Sequence, residues 1–256
     1  MIFLRSILFN VAFYFNLVFL MLVGLPCLLR DRHAVHALAR LWARNSLWLL
    51  DKICGAKIEF RGLEHMPKGG CLIAAKHQSF LETFALTLVT ADFTFVLKRE
   101  LMRIPFFGWY LSRAEQIGID RSKGGSALAQ IIRQGRDALA EGRQIFIFPE
   151  GTRRPPGAAP AYKAGVAQIY AQTGAVCLPV ALNTGLVWPR RSFVRRPGRV
   201  TIEFLEPIAP GLDKKTFMDL LQKSIETAST RLLAEAQQRD PSLTQVKPSD
   251  LDQAPS

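Results

Sequence analysis

Two apolar runs of strand length, residues 71–75 and 144–147, are each followed at once by a polar segment dense in reactive side chains. The first segment is His77-Gln78-Ser79-Phe80-Leu81-Glu82; the second is Phe148-Pro149-Glu150-Gly151-Thr152-Arg153. A chain built this way carries its chemistry on the turns that leave buried strands. The second run reads as a strand over 145–148, and further runs at 93–97, 116–119, 175–181 and 199–205 also read as short strands. Stretches 80–90, 126–140 and 162–172 lie between several of them and read as helices. Residues 213–236 repeat Phe217, Leu220, Leu221, Ile225, Leu232 and Leu233 at helical period. The alternation predicts an α/β fold with a mixed, mostly parallel, largely buried sheet flanked by helices.

His77 and Glu82 stand five positions apart. On one regular helix that spacing leaves them roughly 140° apart. If they touch, His77 lies in the turn after a strand and Glu82 in the first turn of the next helix. Ser79 and Glu82 match the S-x-x-E capping box, with Ser79 as N-cap. Glu82 as a cap alone, and His77 as an ordinary loop histidine, are the competing readings of so short a pattern. The chemical reading makes His77 a general base and Glu82 the carboxylate that fixes its tautomer. No G-x-S-x-G elbow occurs in the chain, so the nucleophile belongs to the substrate.

Taken together, the motifs resemble those of the glycerolipid acyltransferases that acylate lysophosphatidic acid. The resemblance spans roughly residues 58–207. His77 to Glu82 matches that family's His-x4-Asp motif, with Glu in place of Asp, which lengthens the arm by one methylene. Gly118-Ile119-Asp120-Arg121 matches its second motif in part, Phe148 to Arg153 matches its third without change, and Val176-Cys177-Leu178-Pro179-Val180 matches its fourth. The resemblance implies acyl transfer from a thioester of coenzyme A or acyl carrier protein to the hydroxyl of lysophosphatidic acid, giving phosphatidic acid. It assigns Arg121 and Arg153 to the acceptor's phosphate, which arginine grips with paired hydrogen bonds. Glu150, Gly151 and Thr152 then belong to the loop around phosphate and glycerol, and Lys98, just after a strand, is a further cation for the same group. Neither a cofactor nor a metal is implied. Another lyso-lipid acceptor, such as a lyso-ornithine lipid, is the nearer alternative, and a non-enzymatic basic protein that binds anionic membrane is the distant one.

Charge and the N-terminus bear on location. The 256 residues carry 33 Lys plus Arg against 21 Asp plus Glu, a net charge of +12. Such a balance favours anionic membranes, acidic ligands or nucleic acid, and no nucleic-acid fold motif is present. Residues 7–29 are almost unbroken apolar sequence, interrupted by Asn10, Asn16 and Gly24. That length suffices to span a bilayer. With Arg30, Arg32, Arg40 and Arg44 following it, the heavier basic flank puts the catalytic part on the cytoplasmic face, as at a bacterial inner membrane. A cleaved signal peptide is disfavoured by the length and by the lack of an A-x-A-like site. The other reading is a half-inserted hairpin with residues 34–53, where Leu38, Leu41, Trp42 and Leu49 recur near helical spacing. The expected organisation is membrane-anchoring helices over 1–55, an acyltransferase domain over 56–236 and a disordered tail over 237–256.

Other signals are weaker. Pro105-Phe106-Phe107-Gly108-Trp109-Tyr110 is an aromatic cluster suited to a bilayer interface, an acyl groove or a core. Arg190, Arg191, Arg195, Arg196 and Arg199 read as a surface loop facing anionic lipid or water. His33 and His36 lack a ligand cluster in sequence, and the four cysteines show no C-x2-C spacing.

Overall fold

Continuous apolar runs make strands that are buried on both faces, as in parallel sheets covered by helices. In the computed structural model, which describes residues 1–120, 122 and 124–245, every residue of β2 (Cys71–Ala75), β5 (Gln144–Ile147) and β6 (Cys177–Leu182) is buried. With β1 (Ala56–Arg61), β3 (Phe93–Lys98), β4 (Ile117–Ile119) and β7 (Gly198–Phe204) they form a seven-stranded sheet. Its order is β1-β7-β6-β2-β5-β3-β4. All neighbours pair in parallel except β6 with β7, so the expected mixed, mostly parallel sheet is present. Pro179 sits inside β6 without breaking the sheet. Its carbonyl accepts Leu205 N–H at 3.0 Å, and the β7 ladder begins only at Val180. The missing N–H is the partner of that bond, so the antiparallel ladder gives up one bond at its end and is otherwise intact.

Side chains alternate between the faces with period two. Leu72, Ala74, Ile145, Ile147 and Cys177 pack under α5 (Gly125–Ala140), α6 (Gly165–Thr173) and α7 (Lys214–Arg239). Cys71, Ile73, Ala75, Phe146 and Val180 face α2 (Arg32–Leu49) and α3 (Leu81–Ala85). This parity carries past the end of β2: Lys76 follows the α7 side and His77 the α3 side.

Six of the strands lie where the sequence predicts them, within a residue or two. The unpredicted one is β1, where Lys57, Glu59 and Arg61 alternate with Ile58 and Phe60 in the pattern of a half-buried strand, without the continuous apolar run that marks the others. It is an edge strand with β7 as its one neighbour, so charge there is tolerated. The helix expected over 80–90 shortens to α3 and continues as a 3-10 turn at Leu86–Leu88. Helix α7 runs on to Arg239, and Leu243 in the following turn is buried, so folded structure extends past residue 236. Residues 246–256 lie outside the described residues.

Helix α1 (Ile2–Val23) is apolar but not featureless. Ser6, Phe9, Asn10, Phe13 and Leu20 are turned inward, while Leu8, Val11, Phe15, Val18 and Leu22 are exposed. Ser6 Oγ accepts Arg195 N–H at 2.9 Å, Asn10 Oδ1 accepts from Arg195 Nη2 at 3.0 Å, and Asn16 Nδ2 reaches Ser46 Oγ at 3.3 Å. Phe13 packs on Trp42, Phe80, Phe84 and Trp188. The interruptions that make residues 7–29 look imperfect as a span are thus its bonds to the rest of the protein. The arginine-rich segment divides accordingly. Arg191 and Arg199 are exposed, whereas Arg195 is buried with its guanidinium 4.0 Å from the Trp188 ring. Burial lowers the Arg195 pKa to about 10, so it remains a cation at neutral pH.

α4 (Phe107–Arg113) follows a tight loop. Gly108 is required there, because a Cβ would lie 2.0 Å from the Met102 carbonyl oxygen. Phe106 and Trp109 are exposed with ring centroids 4.8 Å apart, and the buried Tyr110 donates its hydroxyl to Met21 O on α1. The aromatic cluster is therefore part core and part surface.

His36 of α2 gives the fold a pH dependence. Among the described residues neither of its ring nitrogens makes a hydrogen bond, and the ring stacks on Phe93 at 4.2 Å. Burial holds its pKa down at about 4, opposed by Asp92 and reinforced by Arg143 and Arg40. Below its ordinary value near 6.5 the unfolded chain takes up a proton that the folded chain refuses until about pH 4. Stability is therefore full above that window and falls as pH drops through it. Denaturant midpoints measured between pH 7 and 4.5 are expected to show this loss. His36→Phe should remove a share of it, on the order of 2 kcal/mol.

Candidate active site

Five parallel strands, β2 to β6, end on the same edge of the sheet, where ligands of open α/β folds bind. β2 leads to Lys76 and His77, its neighbour β5 to Phe148–Arg153, and its other neighbour β6 to Asn183 and Thr184. The two polar motifs, 71 positions apart from His77 to Phe148, become adjacent because their strands pair.

His77 Nδ1 lies 2.9 Å from Glu82 Oε1. The same oxygen accepts Gln78 N–H at 2.8 Å and Ser79 N–H at 2.7 Å. Ser79 Oγ in turn accepts Leu81 N–H at 3.1 Å. The helix starts one residue later than the capping box placed it, with Phe80 as N-cap and no side-chain cap bond, so Glu82 closes the turn 77–79 and orients His77 at once. Glu82 Oε2 accepts the Thr184 hydroxyl at 2.6 Å, which completes a carboxylate with no solvent exposure. An ionised acceptor at Nδ1 makes that nitrogen the N–H donor, which leaves Nε2 with its lone pair. Among the described residues Nε2 bonds to no protein group. The ring stacks on Phe148 with centroids 4.0 Å apart. The His77 peptide is clamped by the second motif: Arg154 N–H donates to its carbonyl at 2.8 Å, and its own N–H points at Glu150 Oε2 at 3.4 Å.

Arg153 is half-buried, with its guanidinium 5.4 Å from the centre of the Phe80 ring. Burial pulls its pKa down, Glu82 opposes this, and Arg190 reinforces it. Among the described residues it forms no ion pair, so its charge is available. Arg190 Nη1 donates to the Arg153 carbonyl at 3.0 Å. Gly151 takes φ 67°, a left-handed conformation that favours glycine, and Thr152 is exposed. Lys98 is exposed at the end of β3, two strands from β2 or roughly 10 Å away. Arg121 lies outside the described residues.

Glu150 differs from its expected place. Its carboxylate has no exposure and bonds to Lys76 Nζ at 3.1 Å, with Arg154 Nε at 3.8 Å. Burial raises its pKa and Lys76 opposes that rise. It shapes the loop from inside and presents nothing to a glycerol group. The sequence reading also passed over Thr184, Lys76 and the contact of Arg190 with Arg153. A hint was available for Thr184, which follows an apolar run just as His77 does.

A metal would find its donors elsewhere. His33, His36 and Asp92 offer atoms within 4.8 Å of one another. Asp92 precedes β3, so the group lies at the opposite edge of the sheet from His77. Its carboxylate already meets Arg32 Nε at 3.0 Å and Arg143 Nε at 3.4 Å, and a cation would compete with both.

Residues 57–183 match the family of acyltransferase domains. This segment belongs to the acyltransferase family. The chain is 40% identical over 161 residues to a 1-acyl-sn-glycerol-3-phosphate acyltransferase of Pseudomonas aeruginosa, covering 63% of each. It is 31% identical over 200 residues to a chloroplastic enzyme of the same description from Arabidopsis thaliana, covering 75% of this chain and 54% of that one. The chain thus spans between about half and just under two thirds of these curated relatives. In fold it is similar to the 1-acyl-sn-glycerophosphate acyltransferase PlsC of Thermotoga maritima, with TM-score 0.78 and 24% identity, covering 91% of this chain and 98% of that one.

The acyltransferase domain's Glu82 offers a direct check. Thr184→Val removes one donor and strands Glu82 Oε2 without a partner. The cost is about 1–3 kcal/mol of stability, read as a lowered denaturation midpoint. Turnover should fall about ten-fold, because Glu82 then holds His77 less firmly.

Proposed function

We propose that the chain transfers a fatty acyl group from a thioester of coenzyme A or acyl carrier protein to the free hydroxyl of lysophosphatidic acid, forming phosphatidic acid. The observation that carries this reading is His77 Nδ1 held 2.9 Å from a sealed carboxylate, with Nε2 bonded to no described protein group and the Arg153 guanidinium near enough to feel the same Glu82 charge. His77 Nε2 takes the hydroxyl proton as the oxygen attacks the thioester carbonyl. The tetrahedral intermediate collapses, the C–S bond breaks, and the imidazolium returns the proton to the leaving sulfur. Glu82 stabilises the imidazolium in between. No acyl-enzyme and no separate cofactor are needed. Arg153, with Lys98 and Arg121, supplies charge for the acceptor's phosphate. The relatives, named as 1-acyl-sn-glycerol-3-phosphate acyltransferases, support this acceptor, and Glu in place of Asp is accommodated because Glu82 reaches His77 from the first turn of α3.

The same reading places the protein on a membrane. The exposed strip of α1 beyond Arg5 is apolar, while its opposite side is bonded to Arg195 through Ser6 and Asn10 and to α2 through Asn16. A helix docked lengthwise on a folded domain cannot also cross a bilayer without carrying that domain in. The half-inserted arrangement is favoured, with Phe106 and Trp109 at the same surface and the basic flank after α1 on the cytoplasmic side.

The deciding assay presents the purified full chain with one labelled acyl thioester and a panel of lyso-lipids in mixed micelles. Lysophosphatidic acid is expected to be the preferred acceptor; preference for a lyso-lipid without a terminal phosphate would redirect the assignment. His77→Ala should cut turnover by about 100- to 10,000-fold with the fold retained by circular dichroism. Arg153→Ala should raise the acceptor KM about 10- to 100-fold and leave kcat nearly unchanged, as loss of a charged hydrogen bond to bound substrate does.

A further inference from the structure

Lys76 is the residue before His77, and its parity turns it to the opposite face of the sheet. Its backbone N–H donates to Val180 O at 2.9 Å, so the β2–β6 ladder fixes the main chain here. Its side chain is only 3% exposed. Nζ bonds to Glu150 Oε1 at 3.1 Å and to Glu226 Oε1 of α7 at 2.6 Å. It also lies 5.8 Å from the centre of the Tyr162 ring, and Tyr162 donates its hydroxyl to Glu226 at 2.8 Å. Four parts of the chain meet at one ammonium: the end of β2, the second motif, the segment before α6, and α7.

A buried ammonium is costly unless it is paired and hydrogen-bonded. Such a site is retained where it fixes a geometry. The geometry here is that of the base. Glu150 holds Lys76 with one oxygen and faces the His77 N–H with the other. The loop that carries Glu150 closes the clamp through Arg154 N–H on the His77 carbonyl. We infer that Lys76 is a positioning residue for the acyl-transfer reaction, locking Glu150, and through it the His77 peptide, to helix α7. This rests on His77 being the base.

The arrangement also explains what lies behind the second motif. A cleft of about 440 Å³ is lined by Lys76, Gln78, Pro156, Glu226 and Leu233, between the loop and α7. The cleft opens beside the ion-pair cluster, between residues 156–160 and α7, with Lys76 and Glu226 on its wall.

Lys76→Met keeps the length and removes the charge. Glu150 then loses the group that opposes the upward pull of burial. Arg154 at 3.8 Å is the remaining cation facing it, and Glu226 adds repulsion. Its pKa rises further, and it is protonated over a wider range below that value. Four readouts follow. The kcat of Lys76→Met should fall about ten- to a hundred-fold, the scale of a small displacement of a reacting group, with the KM for lysophosphatidic acid unchanged. The pH profile of its kcat should gain a dependence on Glu150 ionisation beyond that of the wild type, because protonated Glu150 no longer accepts from the His77 peptide as the carboxylate does. The double variant Lys76→Met/Glu150→Gln should be no slower than the slower single variant, because both act on one clamp. Circular dichroism should show the native fold. A folded Lys76→Met with wild-type kcat, a pH profile matching the wild type, or losses that multiply in the double variant would each overturn the inference. If Lys76→Met does not accumulate folded, Glu226→Gln carries the test: a three- to ten-fold lower kcat at constant KM supports the coupling to α7, and wild-type kcat refutes it. His77→Ala runs alongside. Activity retained in that variant removes the base itself, whereas an inactive His77→Ala beside a fully active Lys76→Met removes only the role of Lys76.

Discussion

A carboxylate without solvent must have its hydrogen bonds supplied by the protein. Glu82 has four: one from an imidazole, two from successive backbone amides, one from a threonine on another strand. These four demands determine the turn 77–79, the start of α3 and the seating of the β6 end against it. The remainder of the reactive edge is arranged around this group. The second motif then closes over His77 from the β5 side, holding its peptide at both ends.

The sequence revealed this centre because its two motifs sit next to recognisable strands. Apolar runs such as 71–75 identify themselves, and a five-residue spacing between imidazole and carboxylate admits few geometries. Residues whose role depends on a distant partner were not legible. Thr184 is 102 positions from Glu82, and Glu226 is 150 from Lys76. Glu150 was misplaced for a related reason: an acidic residue in an anion-binding loop reads as surface until its cation is found underneath. Strand β1 escaped notice because, as a half-exposed edge, it alternates charged with apolar residues and carries no continuous apolar run.

Helix α1 has two unlike sides. By length and composition it is apolar enough to cross a membrane. Its polar atoms are nonetheless consumed by protein partners, Arg195 chief among them, and its aromatic residues Phe9 and Phe13 enter the same cluster as Trp188 and Phe84. Hydrophobicity alone records that the helix avoids water. The placement of Ser6, Asn10 and Asn16 marks the side that meets folded chain.

The pairing of β1 with β7 has a consequence for biogenesis. Ala56 lies opposite Gly198, so the first strand made cannot be seated until the last has left the ribosome. At ordinary elongation rates that interval is roughly 10–30 s. Throughout it, α1 can meet Trp42, Phe80 and Phe84 but not Trp188 or Arg195. Its seat is therefore finished together with the closing edge of the sheet, among the last contacts the chain can make.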